Sequence, residues 1–248
     1  MMKRGLLLFA CSLLTFCDLF SRAGGGGGHS SGGGGGHSFG GFYGGRGGIG
    51  HKWTADDTRY LIIILCCIVL GSFIIWNAYK WLIRYRSFRA NIQLQRSAQS
   101  DKVWSKEQLM PYIEQVYRKM QEAWTKQDMR LAQGLVTVSL QNKFQFILNR
   151  QRRMGIYNYT GDIRITKIRI VGLEDYLDNR KDNFTAYISG TMLDVLVRHK
   201  RRPVKEEEAC EFEDLYHFVR HDNQWLVSEV SNMVDIWTIA ELKILAEN

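Results

Sequence analysis

Tyr60 to Tyr79 is a run of twenty residues without a formal charge. As a helix rising ~1.5 Å per residue it measures ~30 Å, the hydrocarbon thickness of a bilayer. No polar face interrupts LIIILCCIVLGSFIIW, which argues against the core helix of a soluble domain. The pattern predicts a transmembrane helix over 60–83. Trp76, Tyr79 and Trp81 stand at its far end, where interfacial aromatics belong. An earlier apolar run, Gly5–Phe20, follows Lys3 and Arg4 and leads to Ser21-Arg22-Ala23. That is the pattern of a secretory signal peptide over 1–23.

Beyond the span, residues 84–103 are polar and basic and read as a juxtamembrane connector. A soluble domain over 104–248 follows. Ser105 and Gln108 have capping-box spacing, and Pro111 is tolerated near a helix start. Leu109, Ile113, Val116, Tyr117, Met120 and Trp124 then recur at helical spacing and form one apolar stripe. Asp128 is expected to cap a short second helix through Val136. A third helix runs from Ser139 to Met154, with Phe144, Ile147 and Leu148 inward and Gly155 as its stop. After Gly155 the period changes to two. Ile163/Ile165 and Ile168/Ile170 predict a bulged strand, and Phe184–Val197, Cys210–Val219 and Trp225–Val230 predict three more. Ile236–Ala246 reads as a closing amphipathic helix. Three helices followed by an antiparallel meander imply the α+β class.

Composition separates the two halves. Of 24 glycines, 17 fall between Gly24 and Gly50. Glycine costs the most entropy to order, and this tract offers little apolar surface in return. A disordered glycine-rich tether over 24–58 is expected. His29, His37 and His51 within it lack zinc-site spacing and have no cysteine or carboxylate nearby, so no metal is expected. No phosphate loop, metal spacing or catalytic triad order appears, and no cofactor is expected.

Charge sets the topology. The net charge of +8 lies wholly in residues 1–100, because residues 101–248 carry 22 basic and 22 acidic side chains. Lys80, Arg84, Arg86 and Arg89 follow the span at once, whereas Asp56 and Asp57 dilute the basic residues on the near side. The positive-inside rule then places the C-terminal domain in the cytoplasm of a single-pass protein of the inner or plasma membrane. A neutral globular half gives no electrostatic footprint for DNA. Arg198, Lys200, Arg201, Arg202 and Lys205 cluster at a predicted hairpin, directly before Glu206–Glu208. Such a cluster suits anionic lipid first and ribosomal RNA second, or serves only as a solvated loop. Arg150, Arg152 and Arg153 end the third helix, where cations complement the dipole.

Particular residues carry a family resemblance. Trp124-Thr-Lys-Gln-Asp128 with Leu135-Val-Thr, Phe144…Leu148 before Gly155-Ile-Tyr-Asn158, and Phe212–Arg220 with Trp225-Leu-Val are its motifs. Over 104–231 the chain resembles the C-terminal domain of the mitochondrial inner-membrane import-motor anchor, the TIM-forty-four-like family, and its bacterial membrane-tethered relatives. The resemblance implies a cone-shaped, curved antiparallel sheet wrapped by about three helices around a pocket. It also implies membrane association and binding of an unidentified protein partner, in translocation or membrane-protein assembly, rather than catalysis. Trp124, Phe212, Asp214, Tyr216, Phe218 and Trp225 are the expected pocket lining. Two other readings stand beside this one. The first is a ribosome- or RNA-associating membrane tether. The second is an enzyme using Asp194, Asp214, Tyr216 and His217, although His217 points to the other strand face from Asp214.

Overall fold

The computed structural model describes residues 55–198 and 209–247. The signal peptide and most of the tether therefore lie outside the described residues. Helix α1, Ala55–Ser100, contributes to two compact units, one ending at Trp81 and the other starting at Leu82.

In the first unit, α1 is long and apolar enough to cross a membrane. Its few polar groups are satisfied within the helix. The Ser72 hydroxyl donates to the Ile68 carbonyl at 2.8 Å, and Asn77 donates to the Phe73 carbonyl at 2.7 Å. Lys80 lies 4.3 Å over the Trp76 ring. These arrangements suit a helix end leaving hydrocarbon, where polar groups find partners only locally.

The second unit holds the rest of α1, then α2 (Lys106–Thr125), α3 (Val138–Arg153), β1 (Ile156–Asp175), β2 (Asn183–Arg198), β3 (Ala209–His221), β4 (Gln224–Ser231), α4 (Ile236–Glu241) and β5 (Ile244–Ala246). The sheet order is β4-β3-β2-β1-β5; β5 runs parallel to β1 and the other pairings are antiparallel. The α+β class holds, with a curled five-stranded sheet packed against helices.

Alternation along β3 makes the inner face. Phe212, Asp214, Tyr216, Phe218 and Arg220 are all buried. The α2 stripe covers them, with all six predicted positions in the core. Tyr117 stacks on Phe212 at 5.2 Å, Phe184 stacks on Phe218 at 4.6 Å, and Trp124 meets Phe144 edge-on at 5.5 Å. Burying such rings supplies the apolar area that drives the two layers together.

Three register shifts bend β1. One falls beside Gly190, where a β-carbon would stand 2.1 Å from the Arg164 carbonyl oxygen. The bulge needs glycine on the neighbouring strand because the backbones approach too closely for a side chain. Away from the short pairing of β1 with β5, the edges along β1 and β4 are occupied by side chains and loop backbone. Gln127 and Arg118 donate to the carbonyls of Ile156 and Ile163, and Thr125 accepts from the Thr160 amide, at 3.1–3.2 Å. On β4, Val227 exchanges bonds with Leu135 and Thr137. These contacts occupy edge groups that would otherwise recruit a strand.

Several expectations are corrected. Residues 84–100 of the expected connector are helical, and Ala90 and Leu94 are buried in the core. Every third or fourth residue there is apolar or small enough to pack, a period diluted by the intervening arginines. Asp128 caps a 3₁₀ turn over Met129–Ala132 and not a helix to Val136. The Ser105 hydroxyl bonds Glu107 at 2.8 Å instead of completing a capping box. The closing helix ends at Glu241, because residues 244–246 are drawn into pairing with β1.

Candidate functional site

The basic residues next to the span divide in their roles. Lys80, Arg84 and Arg89 are exposed. Arg86 instead donates to the carbonyls of Ala240 and Leu242. One of the four juxtamembrane cations thus belongs to the fold and serves as a C-terminal cap for α4. The hairpin patch, Lys200, Arg201, Arg202 and Lys205, lies outside the described residues. Of Arg198, only the backbone is described, paired with Ile156 at the end of β2.

Five of the six residues expected to line a pocket are close-packed, and the sixth, Trp225, lines a cavity. Trp124, Phe212, Asp214, Tyr216 and Phe218 are each at most 2% exposed. They meet α2 and α3 ring to ring, so the rings fill the space a pocket would need. Trp225 lines a cavity of about 310 Å³ with Val103, Leu109, Tyr112 and Leu135, rimmed by Gln108, Asn223 and Gln224. Its ring nitrogen donates to the Val103 carbonyl at 3.3 Å, and its own carbonyl accepts from Tyr112.

Asp214 is satisfied within the core. It accepts from the Tyr117 hydroxyl at 3.1 Å and from Asn232 at 2.8 Å. Asp194 accepts from Asn158 at 3.0 Å. His217 lies on the opposite sheet face from Asp214 and Tyr216, with its Nδ1 3.1 Å from the Thr185 hydroxyl. Burial holds its imidazole below the ordinary value, an effect partly offset by Glu229 and Glu174. The sheet therefore separates the His217 ring from Asp214 and Tyr216, two of the three side chains expected to act with it.

Another charged constellation escaped the sequence reading. Arg220 bonds Asp182 at 3.0 Å and Asp101 at 2.5 Å, and its Nε donates to the Asp222 carbonyl at 2.9 Å. Asp182 also accepts from the Tyr176 amide at 2.8 Å. One guanidinium thus fastens the α1–α2 turn, the β1–β2 link and the β3–β4 hairpin. Desolvation pushes the Asp182 carboxyl above its usual range, with hydrogen bonds from Tyr176 and Arg220 working against it. The available signal was Arg220 itself, which continues the inward alternation of Phe212, Asp214, Tyr216 and Phe218.

Beside this pin a polar cleft of about 660 Å³ opens between α1 and the end of β1. Ser97 donates to Asp175 there at 2.5 Å, with Arg96, Asn179 and Glu247 also on its walls. Among the described residues, no group of three or more His, Cys, Asp or Glu side chains is arranged to hold a metal ion.

The intermembrane-space region of the chloroplast protein ARC6, known from a crystal structure, aligns with 50% of this chain and 95% of its own at 10% identity and a TM-score of 0.38. No curated protein matches the chain. A family model does match, the Tim44-like domain, over residues 91–232. The match starts within α1, where Leu94 enters the core, and ends just after β4. With its α2 stripe, bent β1 and paired last strands inside that match, the chain belongs to the Tim44-like domain family, a family of membrane-associated scaffold and import domains.

Proposed function

We propose that this is a non-catalytic, membrane-anchored binding protein. Its Tim44-like domain lies on the cytoplasmic side of an inner or plasma membrane and is presented to a protein partner and to anionic lipid. One observation carries the reading. A single helix, α1, supplies both an uncharged run long enough to cross a bilayer and the core residues Ala90 and Leu94. The anchor and the binding domain therefore share an element, with no loop between the apolar run and the core residues. The exposed Arg84 and Arg89 support the cytoplasmic orientation. The partners already held by Asp214, and the placement of His217 across the sheet, support binding over acid–base chemistry.

A reporter fused after Asn248 tests the orientation. A cytoplasmic reporter is expected to be active there, and alkaline phosphatase inactive. The reverse pair of results would overturn the assignment.

A further inference from the structure

Helix α3 contains Lys143, Arg150, Arg152 and Arg153 and no carboxylate. Arg152 turns back into the domain, where it donates to the Gln127 carbonyl at 2.8 Å. Lys143, Arg150 and Arg153 are exposed and make no ion pair among the described residues. Between them stands Phe146, 69% exposed, on the side of the helix away from buried Leu140, Phe144 and Leu148. Helical spacing makes Lys143, three residues before the ring, and Arg150, four after, its surface neighbours, with Arg153 two turns along the same face. The helix dipole accounts for cations in the last turn. It does not account for Lys143 or for an exposed aromatic ring in mid-helix.

We propose that this face of α3 docks an acidic amphipathic segment of the protein partner, with an apolar side chain on Phe146 and carboxylates on Lys143, Arg150 and Arg153. The inference rests on the reading of the domain as a partner-binding module and names the chemistry of that partner. An aromatic anchor with arginines around it has the composition of an interface hot spot. Charge complementarity selects the occupant. A second copy of this face would bring three cations against three cations. A membrane surface would require a continuous apolar face sunk ~5–10 Å into the lipid, whereas the opposite face of α3 is already committed to the core.

Photo-crosslinking of the full chain in its native membrane tests this. Benzoylphenylalanine replaces Asn142, an exposed residue one turn before Phe146. A second probe replaces Gln115 on the outward face of α2, where Glu114 and Glu122 already pair with Arg118, Lys119 and Lys126. The expected result is a protein adduct at 142 whose crosslinked peptide is net acidic by mass spectrometry. K143E/R150E/R153E should lower its yield about tenfold, F146A should lower it as well, and K143Q/R150Q/R153Q should lower it less than the reversal. Loss in all three variants supports the proposal. An adduct insensitive to charge reversal overturns it, as does a lipid or nucleic-acid adduct, or none at 142. A protein adduct at 115 alone sinks the α3 assignment while leaving the binding module intact. No protein adduct at either position counts against both.

Discussion

Arg220 and Asp182 are only 5% and 0% exposed at their side chains, so water cannot replace the guanidinium as the partner of Asp182. Removing the cation strands a carboxylate away from water. Arg220→Met is therefore expected to cost roughly 3–5 kcal/mol. Asp182→Asn keeps the acceptor for Tyr176 and leaves Arg220 paired with Asp101, so it should cost no more than about 1 kcal/mol. Denaturant unfolding of both variants checks this order. The direction of the Asp182 shift agrees: a carboxyl raised by desolvation contributes stability below its ordinary value and loses it as pH rises through the folded value. His217 has the opposite sense. Its folded value is depressed, so its contribution is complete above about 6.5 and fades as pH falls and the unfolded chain takes up the proton first. His217→Gln should flatten the fall in Tm between neutral pH and about 5.5. Inward-facing apolar positions were legible at this scale from period alone. The pin was not, because Asp101, Asp182 and Arg220 are far apart in sequence and a strand pattern does not name the partner of a buried charge.

Strong periodicity located the elements better than weak periodicity did. The α2 stripe and the strand alternation of β3 were readable because most inward positions are large and apolar, with Gln121, Ala123, Asp214 and Arg220 as exceptions. The second half of α1 hid behind its arginines, and the tail of α4 changed state through a pairing that only the folded β1 offers. The boundary of the domain follows from this. A fragment starting at residue 104 lacks Ala90 and Leu94, and losing a buried leucine alone costs ~2–5 kcal/mol. Fragment 82–248 should unfold in one cooperative transition. Fragment 91–248, without Ala90 or the Arg86 bonds to Ala240 and Leu242, should melt lower. Fragment 104–248 should melt lowest or show no cooperative transition. Near-ultraviolet circular dichroism during thermal unfolding would distinguish the three, and equal stability of 82–248 and 104–248 would contradict the core assignment of α1.

At the scale of the whole molecule, the sequence divides into an uncharged helical run with a basic flank and a domain with equal numbers of basic and acidic residues. That division and the α+β class could be read without coordinates, since both depend on long stretches. The family could be read too, from packing residues such as Trp124, Phe144 and Trp225. The packing around the expected pocket residues other than Trp225 could not, because alternation tells which way a ring points and not whether its neighbours leave room. The α3 face was half visible: its arginines stood out, but Phe146 gained meaning only when the opposite side of the helix was seen to be buried.

The bonds from Arg86 to Ala240 and Leu242 span 154 and 156 residues. A ribosome making ~5–20 residues per second needs ~8–30 s to cover that distance. During that interval the anchor can already be in the bilayer while the acceptors for Arg86 do not yet exist, and the β1 edge still lacks β5. Ala90 and Leu94 then have no completed core to enter. The packing of the second half of α1 is thus completed only after synthesis of the last strand, and its buried positions wait uncovered until then.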